Sequence, residues 1–283
     1  DLPEGGKSKG FGGVLLKKIR FSNFYIGLIL VIMYLPILLI VVYSFNESKI
    51  SSVWGGFSLK WYEMLKTDRA MHEAIGNSLL LGLLSCSAAA VIGTLGAVGM
   101  SRIKLHTKGM VEYISMLPIM IPEIILGMVF MTFFALIGLP FGMATLVIAH
   151  TAFCIPYVYM MVKARLAGMD ISLIEAARDL GASPWRAFFD ITLPFISPAV
   201  LSGMLLAFAM SLDDVVISIF VTGAETNTLP VKIYTQMKTG VTPEINALCT
   251  IMLVVTLTIV GISGIVNKKS KVGKLRNEEN YEK

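Results

Sequence analysis

Six long apolar runs constrain the fold of this 283-residue chain more than any other feature. A helix needs about 20 mostly apolar residues to cross a bilayer. Only 15% of the residues are charged, whereas soluble domains carry about 25%. The sequence therefore predicts an all-α membrane protein with six transmembrane helices in one domain, residues 21–267. The six runs are residues 24–45, 76–101, 112–137, 142–164, 195–221 and 246–267.

The distribution of Lys and Arg predicts the orientation of these helices. Residues 1–20, 102–111 and 163–194, together with the tail after residue 267, hold 18 of them, and the alternate loops hold 6. Because cytoplasmic loops carry the excess of positive charge, both termini are predicted to be cytoplasmic. The net charge of +5 is thereby assigned to the membrane surface, and no nucleic acid partner is expected.

Both ends of the chain differ in composition from the apolar domain. The N-terminal arm, residues 1–20, and the C-terminal tail, residues 268–283, are rich in Gly, Lys and Glu. With little to bury, they are predicted to be poorly ordered at their ends. The first apolar run is 22 residues long and ends without an Ala-x-Ala-like site, so it is interpreted as an uncleaved membrane anchor.

Common enzyme and cofactor motifs are not found. Gly5-Gly6-Lys7-Ser8 resembles the end of a phosphate-binding loop, but Asp1 stands where that loop needs its first glycine. The cysteines and histidines are dispersed along the chain, which argues against redox chemistry and a local metal site. The sequence therefore predicts a non-catalytic chain with no cofactor of its own. The dispersed residues are Cys86, Cys154, Cys249, His72, His106 and His150.

Three acidic residues fall inside the apolar runs. Glu123 is predicted to lie mid-span in the third run, and Asp213 and Asp214 lie in the fifth. Each carboxylate costs about 2.5–3.5 kcal/mol to insert at the centre of a membrane helix, so each needs a partner, water or a proton. One interpretation pairs each acid with a polar group on a neighbouring helix or subunit. Because no Lys or Arg lies well inside a run, the pattern favours a water-lined path for a cationic substrate.

The geometry of a helix refines the roles of these residues. Successive residues point about 100° apart, so Asp213 and Asp214 are not expected to face the same path. One of them is predicted to face the path and the other a helix or subunit contact. His150 and Tyr157 share a face of the fourth run. Packing is the favoured interpretation of both, although Tyr157 is kept with the three acids as a candidate substrate-path residue.

A polar segment separates the fourth and fifth runs. Glu175, Ala176 and Ala177 are predicted to begin a short amphipathic helix, and Gly181 to end it. Ile191, Leu193 and Pro194 follow at fixed spacing. We expect a cytoplasmic loop over residues 165–194 that lies on the membrane surface.

The spacing Glu-Ala-Ala, three residues, Gly, nine residues, Ile, one residue, Leu-Pro resembles the signature loop of ABC importer permeases. All seven fixed positions match. Further stretches resemble the spermidine/putrescine ABC importer permeases, and of the two permease subunits in such importers the chain is more similar to the one usually labelled C. They include Ser211-Leu212-Asp213-Asp214-Val215-Val216, Leu229-Pro230-Val231-Lys232-Ile233-Tyr234 and Thr242-Pro243-Glu244-Ile245-Asn246-Ala247.

This resemblance implies a type I importer core of six helices in the bacterial inner membrane. It implies a second homologous permease, an extracytoplasmic polyamine-binding protein, and two ATPase subunits that bind ATP and Mg²⁺ and dock on the signature loop. Polyamine import is the expected function. An importer for another solute and an ion-coupled secondary carrier remain as alternatives. The residues implied in ATPase coupling are Glu175, Ala176, Ala177, Gly181, Ile191, Leu193 and Pro194.

Overall fold

The structure, a computed structural model, describes residues 11–49, 53–103, 107–240 and 243–258, with side chains from Asn23 onward except at Thr239. Within these residues the secondary structure is helical, apart from one isolated bridge between Asn46 and Phe57. The all-α prediction is confirmed for the described chain. The helices are α1 (Phe11–Tyr43), α2 (Lys60–Thr67), α3 (Arg69–Arg102), α4 (Lys108–Met120), α5 (Glu123–Leu136), α6 (Met143–Ala167), α7 (Ser172–Asp179), α8 (Pro184–Ala187), α9 (Leu193–Asp213), α10 (Val216–Val221), α11 (Leu229–Thr239) and α12 (Pro243–Thr258).

The described residues form two compact units. The larger unit is Asp68–Lys238 and contains the helices from α3 to α11, and the smaller unit contains α1, α2 and α12. In the smaller unit the Asn46 side chain organises the loop after α1. Its Nδ2 donates to the Val53 carbonyl at 2.8 Å, and its Oδ1 accepts the Gly55 N–H at 2.8 Å. The buried Trp61 indole donates to the Asn46 carbonyl at 2.7 Å, which ties this loop to α2.

The core of the larger unit is the packing of α3, α6 and α9. Their contact faces carry small residues, which let the helix backbones approach closely. Close approach favours van der Waals packing, which holds helices together in a membrane where the hydrophobic effect does not. A Cβ on Gly93 would lie 3.1 Å from the Ile155 carbonyl oxygen, and one on Gly203 would lie 3.0 Å from Val158 Cα. A larger residue at either crossing would therefore require the neighbouring helix to shift.

Fewer than the predicted six spans are found in the part of the chain that the structure describes. There, four helical segments are long and apolar enough to cross a membrane, and the pair α4 and α5 makes a fifth if it is counted as one bent span. The described part of the sixth run is α12, Pro243–Thr258, which is too short to qualify, and residues 259–267 lie outside the described residues. The six-span prediction is therefore confirmed only as four or five spans.

The third apolar run is bent and does not form a straight span. The axes of α4 and α5 differ by 103°. Ile121 is extended (φ −79°, ψ 133°), because the ring of Pro122 disfavours helical backbone in the residue before it. Glu123 is consequently the first residue of α5, at the bend between the two helices, and its place in mid-span stays a prediction. Its exposed carboxylate lies where the helix dipole favours negative charge.

The fifth run begins earlier than predicted. Helical structure is continuous over Pro184–Asp213, with a π turn at Phe188–Thr192 between α8 and α9. Pro184 starts α8 at a position that needs no N–H, and Ser183 caps it. The π turn immediately precedes Pro194, whose ring would clash with a carbonyl four residues earlier in a regular α-helix.

The fifth run is also interrupted near its end. α9 ends at Asp213, and Asp214 has an extended backbone (φ −69°, ψ 121°) before α10 begins at Val216. The sequence predicted Asp213 and Asp214 as successive residues of one continuous helix. In the structure the helix ends between them.

The ends of the chain are described only in part. Residues 11–20 of the predicted N-terminal arm belong to α1, so the helix begins inside that arm. Residues 1–10 and the C-terminal tail, residues 268–283, lie outside the described residues.

Candidate functional site

The predicted amphipathic helix after the fourth run is α7. Asp170 precedes it, and its Oδ1 accepts the Ser172 N–H at 2.9 Å. This hydrogen bond to the charged form holds the pKa of the Asp170 carboxyl below its ordinary value. The carboxylate also lies at the helix start, where the dipole favours negative charge. The start of α7 is therefore set by Asp170, five residues before the predicted first residue Glu175.

Gly181 ends α7, as the sequence predicts. Its backbone is left-handed (φ +85°), a conformation that glycine adopts without strain. The Ala182 N–H donates to the Ala177 carbonyl at 3.0 Å, and the Gly181 N–H to the Arg178 carbonyl at 2.9 Å. This pair of bonds is the Schellman pattern of a helix end. The two-turn helix is thus closed at both ends by local residues.

The outer face of the segment 168–183, hereafter the coupling segment, is exposed. Glu175 and Ala176 are exposed, and Ala177 is half-buried. Leu180, 89% exposed, and Trp185 just beyond the segment, 73% exposed, present apolar surface at this end of the molecule. Such contiguous exposed apolar side chains are typical of a surface that another molecule covers.

The signature positions beyond Gly181 do not lie in a loop. Ile191 is in the π turn, and Leu193 and Pro194 begin α9. Within the predicted cytoplasmic loop, 165–194, residues 165–167 belong to α6 and those from 184 onward are helical, and its bounds relative to the membrane stay a prediction. The side chains of Ile191 and Leu193 are half-buried and that of Pro194 is exposed.

A cavity of about 650 Å³ lies between α7 and the ends of α3, α4 and α6. In its wall, Lys163 Nζ and Glu112 Oε2 form an ion pair at 2.8 Å. Arg102 Nη2 donates to Thr192 Oγ1 at 3.2 Å, which links the end of α3 to the π turn. The predicted coupling residue Glu175 also lines this cavity. The coupling segment thus faces a cavity whose opposite wall carries charged and polar side chains of the helix bundle.

Asp214 is buried in the interruption at residues 211–218, hereafter the fifth-span break, and its side chain is 3% exposed. Its Oδ1 accepts the Ile217 N–H at 3.2 Å, and its Oδ2 accepts the N–H and the hydroxyl of Ser218, each at 2.9 Å. The carboxylate therefore caps α10, where backbone N–H groups would otherwise be unpaired. Of the two interpretations offered by the sequence, Asp214 fits the structural contact.

His150, which is fully buried in α6, completes this network. Its Nε2 lies 3.1 Å from Ser218 Oγ and 3.4 Å from Asp214 Oδ2, and its Nδ1 lies 2.8 Å from Ser211 Oγ. Because Ser218 donates its only hydroxyl proton to Asp214, we assign the proton between His150 and Ser218 to Nε2. The sequence placed His150 in packing and did not predict Ser211 or Ser218. No local spacing joins residues on α6 to residues on α9 and α10.

Asp213 contrasts with its neighbour. It is the last residue of α9, its side chain is exposed, and within the described residues it makes no hydrogen bond or ion pair. A membrane-depth carboxylate without a partner in its own chain costs free energy unless water, another chain or a cationic ligand meets it.

The remaining candidate path residues lie near one another. Tyr157 is half-buried on α6 and packs edge-to-face on Phe153, with ring centroids 5.5 Å apart. Glu123 is close enough to Tyr157 for an electrostatic interaction, although no hydrogen bond joins them. Neither residue is bonded to Asp213. Among the described residues, no group of three or more His, Cys, Asp or Glu side chains could hold a metal ion.

Comparison with known proteins gives consistent matches over most of the chain. Residues 89–269 match the family model described as "Binding-protein-dependent transport system inner membrane component". The chain is 39% identical over 241 residues to the spermidine/putrescine transport system permease protein PotC of Escherichia coli (strain K12). This alignment covers 85% of this chain and 91% of that protein. It is 43% identical over 241 residues to the putrescine transport system permease protein PotI of the same strain, covering 83% and 84% respectively.

Solved structures agree on the fold. The chain is similar to one in a bacterial ABC transporter involved in the import of the acidic polysaccharide alginate, with a TM-score of 0.65, 15% identity, and coverage of 94% of this chain and 99% of that one. A chain of a bacterial alginate ABC transporter, in complex with an alginate pentasaccharide-bound periplasmic protein, matches with a TM-score of 0.69, 18% identity and coverage of 90% and 96%. At these identities the likeness concerns the fold alone.

Proposed function

This chain belongs to the family of binding-protein-dependent transport system inner membrane components, and we propose that it is the permease subunit of an ATP-driven polyamine importer. The observation that carries the proposal is the 39–43% identity, along more than four fifths of the chain, to permeases named for spermidine and putrescine. The alginate transporters share its fold at 15–18% identity, which carries no argument about substrate.

The charge of the candidate path supports a cationic substrate. Asp213 and Glu123 have exposed carboxylates, and Tyr157 is half-buried near Glu123. Ammonium groups are attracted by carboxylates, and by aromatic faces with about 0.5–2 kcal/mol each. We propose that these three residues meet successive ammonium groups of the polyamine. Asp214, also a candidate from the sequence, is assigned to the support of this path because its oxygens are occupied within the chain.

The coupling segment is proposed to transmit ATP hydrolysis. Its exposed α7 would seat in a groove of an ATPase subunit, with Ala176 and Ala177 allowing close approach and Glu175 bonding a donor there. Gly181 would fix the angle at which the helix ends. Ile191, Leu193 and Pro194 would act from behind, as the start of the membrane helix that α7 moves. ATP and Mg²⁺ would be bound by the partner, and this chain would hold no cofactor.

The proposed assembly contains more than this chain. This chain forms one half of a gate, so a second, homologous permease is needed as the other half. Two ATP sites require two ATPase subunits. An extracytoplasmic binding protein would deliver the polyamine. The apolar spans fit a multi-pass protein of the bacterial inner membrane. The excess of Lys and Arg on one set of loops supports cytoplasmic termini. No nucleic acid enters this scheme.

The test is reconstitution of this chain with its second permease, its ATPase and its binding protein in liposomes. We expect uptake of radiolabelled spermidine or putrescine that requires ATP and the binding protein, and no uptake by the chain alone. ATP-driven uptake of a sugar or an anion in place of both polyamines would contradict the substrate. Saturable uptake by the chain alone, driven by an ion gradient, would establish a secondary carrier.

A further inference from the structure

Two adjacent aspartates at the end of α9 have opposite environments. The Asp214 side chain is buried and accepts three hydrogen bonds, whereas Asp213 is exposed and bonds to nothing in the described chain. The Asp213 backbone is helical and the φ of Asp214 (−69°) is close to the helical value, so the two side chains still leave the backbone about 100° apart. The ψ of Asp214 (121°) departs from the helix, and it turns the chain that follows away from the axis of α9. In a continuous helix the residue four positions on would lie beside Asp213, so the exposure of the Asp213 carboxylate depends on whatever keeps Asp214 extended.

The groups that hold Asp214 come from α10 and α6, and one of them also contacts α9. Its oxygens cap α10 through Ile217 and Ser218, and His150 on α6 contacts both Ser218 and Asp214. The other ring nitrogen of His150 bonds Ser211, on the last turn of α9. One imidazole thus spans the break and fixes the helix on each side of it.

We propose that the His150–Asp214–Ser218 network is a positioning device, which holds the fifth-span break open so that the Asp213 carboxylate faces the path of an ammonium substrate. His150, Asp214 and Ser218 are positioning residues, because all three side chains are buried and bonded to one another, out of reach of a substrate. Irregular backbone at membrane depth is tolerated where it lines a polar cavity, and transporters place substrate groups at such interrupted helices. The inference rests on the proposed function, because it needs Asp213 to meet a cationic substrate.

If the His150–Asp214–Ser218 network positions Asp213, the effects of substituting His150 and Asp213 should depend on each other. If His150 acts only through Asp213, its removal costs affinity while Asp213 is present and costs nothing further once the Asp213 charge is gone. If it acts by stabilising the fold, its effect is independent of Asp213. A double-mutant cycle separates these cases.

The experiment uses the reconstituted complex and measures the KM and the maximum rate of spermidine uptake, with complex yield as a check on assembly. The variants are Asp213→Asn, His150→Gln and the double substitution. Ser218→Ala removes one network hydroxyl, and Ser218→Thr retains it. Ser85→Ala is the matched control, because Ser85 contacts Ser211 at 3.3 Å but does not reach Asp214.

We expect His150→Gln and Ser218→Ala to raise KM about tenfold with the maximum rate changed less than about twofold, and Ser218→Thr to restore KM. The double variant should be no worse than Asp213→Asn alone. Ser85→Ala should behave as the parent. If His150→Gln lowers complex yield, the double-mutant cycle is measured with Ser218→Ala and Asp213→Asn instead.

Two outcomes overturn different claims. Multiplication of the two KM effects in the double variant would show that the network acts independently of Asp213, and the positioning inference would be wrong while the importer stands. A parental KM in Asp213→Asn itself, or a parent complex that takes up no polyamine, would overturn the proposed path or function before the network is considered.

Discussion

The coupling segment and the fifth-span break both place polar residues at helix ends, and they satisfy those residues in opposite ways. In the coupling segment the helix ends are closed by local bonds from Asp170 and Gly181, and the outer face stays exposed. In the fifth-span break, buried side chains from two distant parts of the chain bond one another. The first arrangement leaves the outer face of a helix for a partner, and the second leaves only the Asp213 carboxylate exposed beside a closed network.

The difference teaches how to separate interaction residues from supporting residues in this chain. A polar side chain whose bonds are completed inside the chain, as at Asp214, stabilises the fold. One that is exposed beside a completed network, as at Asp213 or Glu175, is available to another molecule. The predictions below challenge this distinction, beginning with the largest expected effect.

Gly181→Leu should abolish uptake, with a loss of at least about 100-fold, because a side chain disfavours the left-handed backbone that closes α7. The chain should still insert into the membrane. Gly138→Leu is the matched control, since Gly138 is also left-handed (φ +69°) and has open space around it. It carries the same backbone strain outside the coupling segment and should retain uptake. Equal loss in both variants would mean that strain, not coupling, is responsible.

Structure that depends on local contacts could be predicted from the sequence, and structure that depends on distant contacts could not. The start and end of α7 depend on residues within a few positions of one another, so Gly181 could be predicted as its end. The fifth-span break depends on His150, which is about sixty positions away from its partners in the sequence. No periodic pattern in the sequence predicts that these residues contact one another. The prolines near Glu123 are visible in the sequence, and Pro122 disfavours a helix at Ile121, but no local rule gives the 103° angle between α4 and α5.

The two aspartates should fail in different assays. Asp214→Asn removes acceptors from buried donors and should destabilise the complex by about 1–3 kcal/mol, seen as a lower melting temperature and yield. Asp213→Asn should leave both unchanged and reduce uptake. The measurement is thermal unfolding of the purified complex beside spermidine uptake. Equal melting temperatures for the two variants would remove the distinction drawn between the residues.

Glu123→Gln should have a smaller effect, about threefold on uptake, because Glu123 is exposed and shares the path with Asp213. Complex yield should not change, since its carboxylate has no hydrogen-bond partner in the described chain. Glu225→Gln, at an exposed loop position, serves as the control. A loss of assembly in Glu123→Gln would place this acid with Asp214 as a supporting residue.

The smallest effect is expected at Asp170. Its folded-state pKa is lowered, so the charged form stabilises the start of α7 at pH values above the unfolded pKa of about 4, and this contribution is lost as pH falls through the lower folded value. Asp170→Ala should increase hydrogen exchange of the Ser172–Glu175 amides at neutral pH, and its difference from the parent should become smaller once both are acidified. Asp170→Asn, which retains an acceptor oxygen, should exchange more slowly than Asp170→Ala at every pH. Identical exchange in all three proteins would contradict the capping role.

The glycines at the crossings of α3, α6 and α9 limit how this protein can move. At Gly93 and Gly203 an added Cβ would come within 3.0–3.1 Å of atoms of α6, so the three helices leave little room to rotate past one another. We therefore expect them to move together as one rigid group. The conformational change of a transport cycle is then expected in parts outside that contact: the bent pair of α4 and α5, the short α10, and the coupling segment. A new substrate preference can accordingly evolve in those parts without altering how α3, α6 and α9 pack.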